Sequence, residues 1–122
     1  MCKITKPKVK SMTKPIICLP MRTFHNVKSP IMQYVKNGTI EILLDRDFVD
    51  IDDFSWIKEV VEKAKKLKGK DVHFVIVGHP LVSLVSIYAL SKVASKLTIY
   101  AWNKEDKNYV QLEYPFEEAL KE

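Results

Sequence analysis

Apolar positions along this chain follow two patterns: runs of adjacent, mostly β-branched residues, and stripes spaced three and four apart. The longest run, Val72-His73-Phe74-Val75-Ile76-Val77, predicts a strand buried on both faces. It leads into Gly78-His79-Pro80 and then into helical spacing from about Leu81 to Ala94. Gly78 permits a tight turn or a close backbone approach. Pro80 suits the first position of a helix, where its missing N–H costs nothing. The helix is apolar around most of its circumference, with the hydroxyls of Ser83, Ser86, Ser91 and Ser95 at its polar positions. Such a helix is expected to be covered by more than one neighbour, which suggests a subunit interface beside the sheet.

Earlier in the chain, Ile16 to Leu19 is a short apolar run between Pro15 and Pro20 and predicts an edge strand. Ile31 to Lys36 and Thr39 to Leu44 flank Asn37-Gly38, a pair suited to a two-residue type I′ turn, and predict a β-hairpin. Phe54, Ile57, Val60, Val61, Ala64 and Leu67 form a core-facing helical stripe, with lysines near its end and Gly69 at its stop. Leu97 to Trp102 and Tyr109 to Tyr114 predict a second hairpin across a polar turn, and 117–122 a short closing helix or a frayed end. The order is strand, hairpin, helix, strand, helix, hairpin. It predicts one α/β domain over residues 15–122, a mixed β-sheet with two hairpins and two main helices. The connection from Val72–Val77 through its helix to Leu97 should be a right-handed parallel crossover.

At 122 residues the chain has room for one core. Its hydrophobic fraction of 47% and only three glycines indicate a folded protein. No apolar run approaches the roughly 20 residues that span a bilayer, and the composition predicts a cytoplasmic protein. The net charge of +5 is carried by Lys3, Lys6, Lys8, Lys10 and Lys14. Residues 1–14 therefore form a basic flexible tail with weak reach for nucleic acid, and the rest of the chain is neutral. Cys2 and Cys18 have neither disulfide context nor metal-ligand spacing.

Candidate chemistry gathers at the strand–turn–helix junction. Strand end, glycine turn and helix N-terminus together suit an anion or phosphate. The expected ligand set is Gly78, His79, Pro80, Leu81 and Ser83, with Arg22, Thr23 and His25 from the loop after the first strand and Asn103 from the last turn. His79 is the candidate catalytic acid/base or phosphate contact, whereas His73 lies within the strand and is expected to be structural. Asp45, Asp47, Asp50, Asp52 and Asp53 lack the spacing and glycine of a calcium loop, and Asp52 or Asp53 better suits a helix cap. No nucleophile elbow, Walker lysine or dinucleotide fingerprint occurs.

From about Ile31 onward the layout resembles the small CRISPR-associated ring-nuclease proteins of the smallest Csx type, distant relatives of the CARF and SAVED sensors of cyclic oligoadenylates. The matching pieces are Tyr34 to Leu44, Asp45 to Leu67, Val72 to Leu84 with its Gly-His-Pro turn, and Leu97 to Leu112. The resemblance implies a CARF-like, Rossmann-like fold. It also implies binding of cyclic tetra-adenylate, a second messenger of type III CRISPR immunity, by a homodimer or higher homo-oligomer. Active relatives carry helix histidines and an aspartate near the closing hairpin, associated with manganese-dependent cleavage. Here the helix from Leu81 to Ala94 has no histidine, and Tyr100-Ala101-Trp102 has no aspartate. The expectation is therefore a ligand-binding protein without a metal cofactor. Any cleavage would use the ligand's own 2′-hydroxyl, with His79 or a residue of the first loop assisting proton transfer. The rival expectation is a non-enzymatic interaction protein whose basic tail contacts nucleic acid.

Overall fold

The computed structural model describes residues 14–22, 28–46, 50 and 52–115. Their elements are β1 (Ile16–Met21), the single-turn helix α1 (Lys28–Ile31), β2 (Thr39–Leu44), α2 (Ser55–Lys65), β3 (Asp71–Val75), α3 (Pro80–Val93), β4 (Lys96–Asn103) and β5 (Asn108–Glu113). The strands form a five-stranded mixed sheet in the order β2-β1-β3-β4-β5. β2, β1, β3 and β4 are mutually parallel, and β5 returns antiparallel along β4. This is an α/β domain, and the parallel β3–α3–β4 crossover and the β4–β5 hairpin both form as the apolar pattern requires.

The first hairpin does not. Ile31 and Val35, four residues apart, are both buried, and the N–H groups of Tyr34 and Val35 both bond to the carbonyl of Ile31. Helical spacing therefore prevails over β-alternation in this short run. The chain turns once, and β2 pairs parallel with β1, Ile17 beside Ile40 and Leu19 beside Ile42. Asn37 takes positive φ (59°), but Gly38 is not in that region, so the two-residue type I′ turn is not made. Gly38 serves another purpose: a Cβ there would lie 2.9 Å from Ile17 Cδ1 and 3.0 Å from Val35 Cγ1.

β1 is an interior strand, not an edge. Pro20 is accommodated because pairing with β3 reaches only Cys18, while pairing with β2 continues to Met21. One face of the sheet is covered by α2 and α3, burying Cys18, Trp56, Val60, Ala64, Phe74, Val82 and Leu90. The other face gathers Ile17, Leu19, Ile31, Val35, Val75, Tyr100 and Tyr109. In α2 the buried stripe is set by Trp56, not Phe54, which is exposed and stands at the N-cap. The Asp53 carboxylate accepts from Ser55 N–H at 3.0 Å, so an aspartate does close this helix start, one residue earlier than a standard cap.

α3 also differs from the expected picture. Its serines Ser83 and Ser86 are buried, while Leu84 and Tyr88 point outward with 64% and 65% of their surface exposed. Ser86 Oγ donates to the Val82 carbonyl at 2.7 Å, which satisfies the hydroxyl within the helix. Small side chains on the inner face let α3 lie close to the sheet. Gly69 (φ +76°) ends the segment after α2. Residues 1–13 of the tail, Cys2 among them, the loop residues Thr23 and His25, and the closing segment 117–122 lie outside the described residues.

Candidate functional site at the carboxyl ends of β1 and β3

In this strand order the chain leaves β1 toward β2 and leaves β3 in the opposite direction toward β4. The carboxyl ends of β1 and β3 thus flank the switch point, where open α/β sheets form their ligand crevice. Gly78 occupies that point with φ +75°, and a Cβ on it would sit 3.1 Å from Met21 Sδ. The turn after β3 therefore lies against the end of β1, next to Arg22. Arg22 Nε donates to Asp45 Oδ1, and its own N–H bonds to the Arg46 carbonyl at 3.2 Å. The hydrogen bond and charge of Arg22 hold the Asp45 carboxyl below its ordinary value. Arg46 in turn bonds Glu59 Oε1 at 2.7 Å. The cations that follow β1 and β2, Arg22 and Arg46, are thus each paired with an acid.

His79 is the N-cap of α3 and Pro80 the first helical residue. The ring Nδ1 of His79 accepts the Leu81 N–H at 3.0 Å, and the His79 carbonyl accepts the N–H groups of Val82 and Ser83 at 3.1 and 3.2 Å. Pro80 has no N–H, so the helix's first-turn donors are already engaged. An accepting Nδ1 places the proton of the neutral ring on Nε2. His79 can therefore offer a ligand an N–H donor from Nε2, but a general base at Nδ1 would first have to give up the cap.

The Gly78-His79-Pro80 turn lies against Met21, the residue before Arg22, while the Arg22 guanidinium is directed to Asp45 after β2. Ser83 is buried, with Oγ 3.5 Å from the Val77 carbonyl, and the Leu81 N–H belongs to His79. Asn103 is occupied in its own turn: its Nδ2 donates to Asp106 at 3.1 Å and its Oδ1 accepts Glu105 N–H at 3.0 Å. Leu81 and Ser83 are thus engaged within the junction, and Asn103 within the β4–β5 turn. Among the described residues no group of three His, Cys, Asp or Glu side chains is placed to hold a metal, and no helix is long and apolar enough to cross a membrane.

On the face opposite α2 and α3 lies a polar chain that sequence reasoning saw only in part. His73 Nδ1 is 2.8 Å from the Tyr100 hydroxyl, Gln111 Nε2 donates to the same oxygen at 3.1 Å, and His73 Nε2 is 3.2 Å from Asp71 Oδ1. That last pair has ion-pair distance without good hydrogen-bond direction, so Asp71 Oδ1 is buried without a hydrogen bond. Burial pushes the Tyr100 phenol above its ordinary value, keeping it neutral. His73 is structural, as its place within a strand implies. Its partner Tyr100 was hidden because the pair is 27 residues apart. Trp102, exposed at the carboxyl end of β4, was likewise missed; its strand position says nothing about which face stays open.

A single α/β domain whose five-stranded mixed sheet reverses its strand order between β1 and β3 is the class that fold and geometry define. No family model, curated protein or solved structure matches the chain.

Proposed function

We propose that this protein binds a cyclic oligoadenylate, the second messenger of type III CRISPR antiviral immunity, at the carboxyl ends of β1 and β3. The observation that supports the reading is the approach of the Gly78 turn to Met21 at the switch point; His79 and Arg22 are the residues that follow each of them in the chain. The ligand class comes from the resemblance in layout from Tyr34 to Leu112. In this reading the phosphate accepts from His79 Nε2 and meets the Arg22 guanidinium. The protein acts in the cytoplasm as a homodimer or higher homo-oligomer, without a metal cofactor. Binding is favoured over cleavage because His79 Nδ1 is engaged as the helix cap. If the ring is cut, the ligand's 2′-hydroxyl loses its proton to solvent and attacks its neighbouring phosphate, the P–O5′ bond breaks to leave a 2′,3′-cyclic phosphate, and the departing 5′-oxygen takes a proton from His79 Nε2–H, which solvent replaces.

The test is thermal stabilisation by cyclic tetra-adenylate and cyclic hexa-adenylate, followed by chromatography of the same samples with and without manganese. Stabilisation without linear products makes the protein a sensor or sponge. Linear products make it a ring nuclease, and no shift with either ring removes the reading. One observation favours a second reading, a non-enzymatic interaction protein: Leu84 and Tyr88 stand exposed one turn apart on α3. In that case nucleic-acid affinity resides in the basic tail and vanishes on deletion of residues 1–14, whereas nucleotide binding would survive the deletion.

A further inference from the structure

We infer that Trp102 is the base-stacking platform of this site, taking the purine of a bound nucleotide; the inference rests on the nucleotide reading above. Trp102 is the last apolar residue of β4 and remains 46% exposed. Its indole is not loose: it packs edge-to-face on Tyr109, with centroids 5.1 Å apart and an interplanar angle of 74°. Tyr109 itself is 9% exposed and belongs to the core of that face. The result is an aromatic ring held in one orientation with much of its surface open to water.

Its position ties it to the crevice. β3 and β4 are parallel with Val75 beside Tyr100, and the Ile76 N–H still bonds to the Tyr100 carbonyl at 3.0 Å. Two residues further along each chain stand Val77 and Trp102, and Gly78 comes next. Val77 packs in the same cluster as Tyr100 and Tyr109, so it lies on the face of the sheet that carries Trp102. With strands about 5 Å apart, Trp102 and Val77 are backbone neighbours, and the Gly78 turn then leans toward Met21 in the core under α2 and α3, so a nucleotide reaching both crosses the carboxyl edge of the sheet from one face to the other. Asn103 offers little to the polar edge of a base, because both its side-chain groups are engaged within the turn. Recognition there is by stacking, which every base can supply and which tolerates sequence.

The chain contains two tryptophans, and Trp56 is 1% exposed in the core under α2. Emission that responds to a small ligand therefore reports Trp102, with Trp56 as an internal reference. The full chain is titrated with cyclic tetra-adenylate, AMP and inorganic phosphate while tryptophan emission is followed, and affinity is measured in parallel by calorimetry. The expected result is quenching by the two adenine ligands and none by phosphate. The quench should be lost in Trp102→Phe, and cyclic tetra-adenylate should bind about 5- to 100-fold more weakly to Trp102→Ala. Urea unfolding of Trp102→Phe checks that Tyr109 keeps its packing. Calorimetric binding with unchanged emission, or Trp102→Ala binding within about twofold of the parent, overturns the stacking role and leaves the site reading standing. No heat and no thermal shift with any nucleotide removes the site reading, and the role of Trp102 with it.

Discussion

The Nδ1 of His79 accepts the backbone N–H of Leu81 at 3.0 Å, so the histidine that heads the site is first of all the cap of α3. An N-cap acceptor is worth about 1 kcal/mol. His79→Ala should lose that amount in urea unfolding, and His79→Asn, which keeps a side-chain acceptor, should recover most of it. If His79→Asn restores stability but abolishes stabilisation by cyclic tetra-adenylate, the imidazole contacts the ligand. If both survive, its role ends with the cap.

Gly78 is constrained twice, by φ +75° and by Met21 Sδ 3.1 Å from where a Cβ would be. Gly78→Ala should cost about 1–3 kcal/mol, the strain of a left-handed alanine. Asparagine tolerates this backbone region better, so Gly78→Asn should be less damaging if the dihedral dominates. The reverse order of urea midpoints would assign the cost to the Met21 contact.

Burial raises the pKa values of Cys18, Tyr100 and Tyr109. Each folded value lies above the unfolded one, so the stability these groups contribute is full below their unfolded values and is lost as pH rises. The loss should begin near pH 9.0, the ordinary value of the thiol, and steepen near 10.0, that of the phenols. Unfolding free energy measured from pH 7 to 11 should fall accordingly. Cys18→Ala should remove the earlier part of the fall and leave the later one.

The Tyr34 hydroxyl lies 3.0 Å from Asn108 Oδ1 and 3.3 Å from the Tyr109 carbonyl, joining the turn after α1 to the start of β5. Tyr34→Phe should cost about 0.5–1.5 kcal/mol. The ring contact with Tyr100, 5.6 Å between centroids, remains in that variant. A larger loss in thermal or urea unfolding would mean that the hydroxyl also holds the hairpin in place.

Amino-acid pattern alone was sufficient for the elements whose determinants are local. The β-branched run Val72–Val77 made β3 with two residues to spare, Pro80 stood at the first position of α3, and Gly69 and Gly78 took the positive φ their places demanded. The glycine–histidine–proline junction was legible for the same reason, since its geometry is built within a few residues. Tertiary structure decided what depends on distant partners. Ile31 and Val35 carried both strand and helix patterns, and only the parallel pairing of β2 with β1 selected the helical turn. Whether Asn103 reaches a ligand depended on Asp106 and Glu105, and whether Trp102 stays open depended on Tyr109 across the hairpin. The pairing of His73 with Tyr100 spans two strands. Hydrophobic periodicity names an element and its buried face, but strand order, register and the surroundings of a side chain arise from contacts between segments that no local pattern encodes.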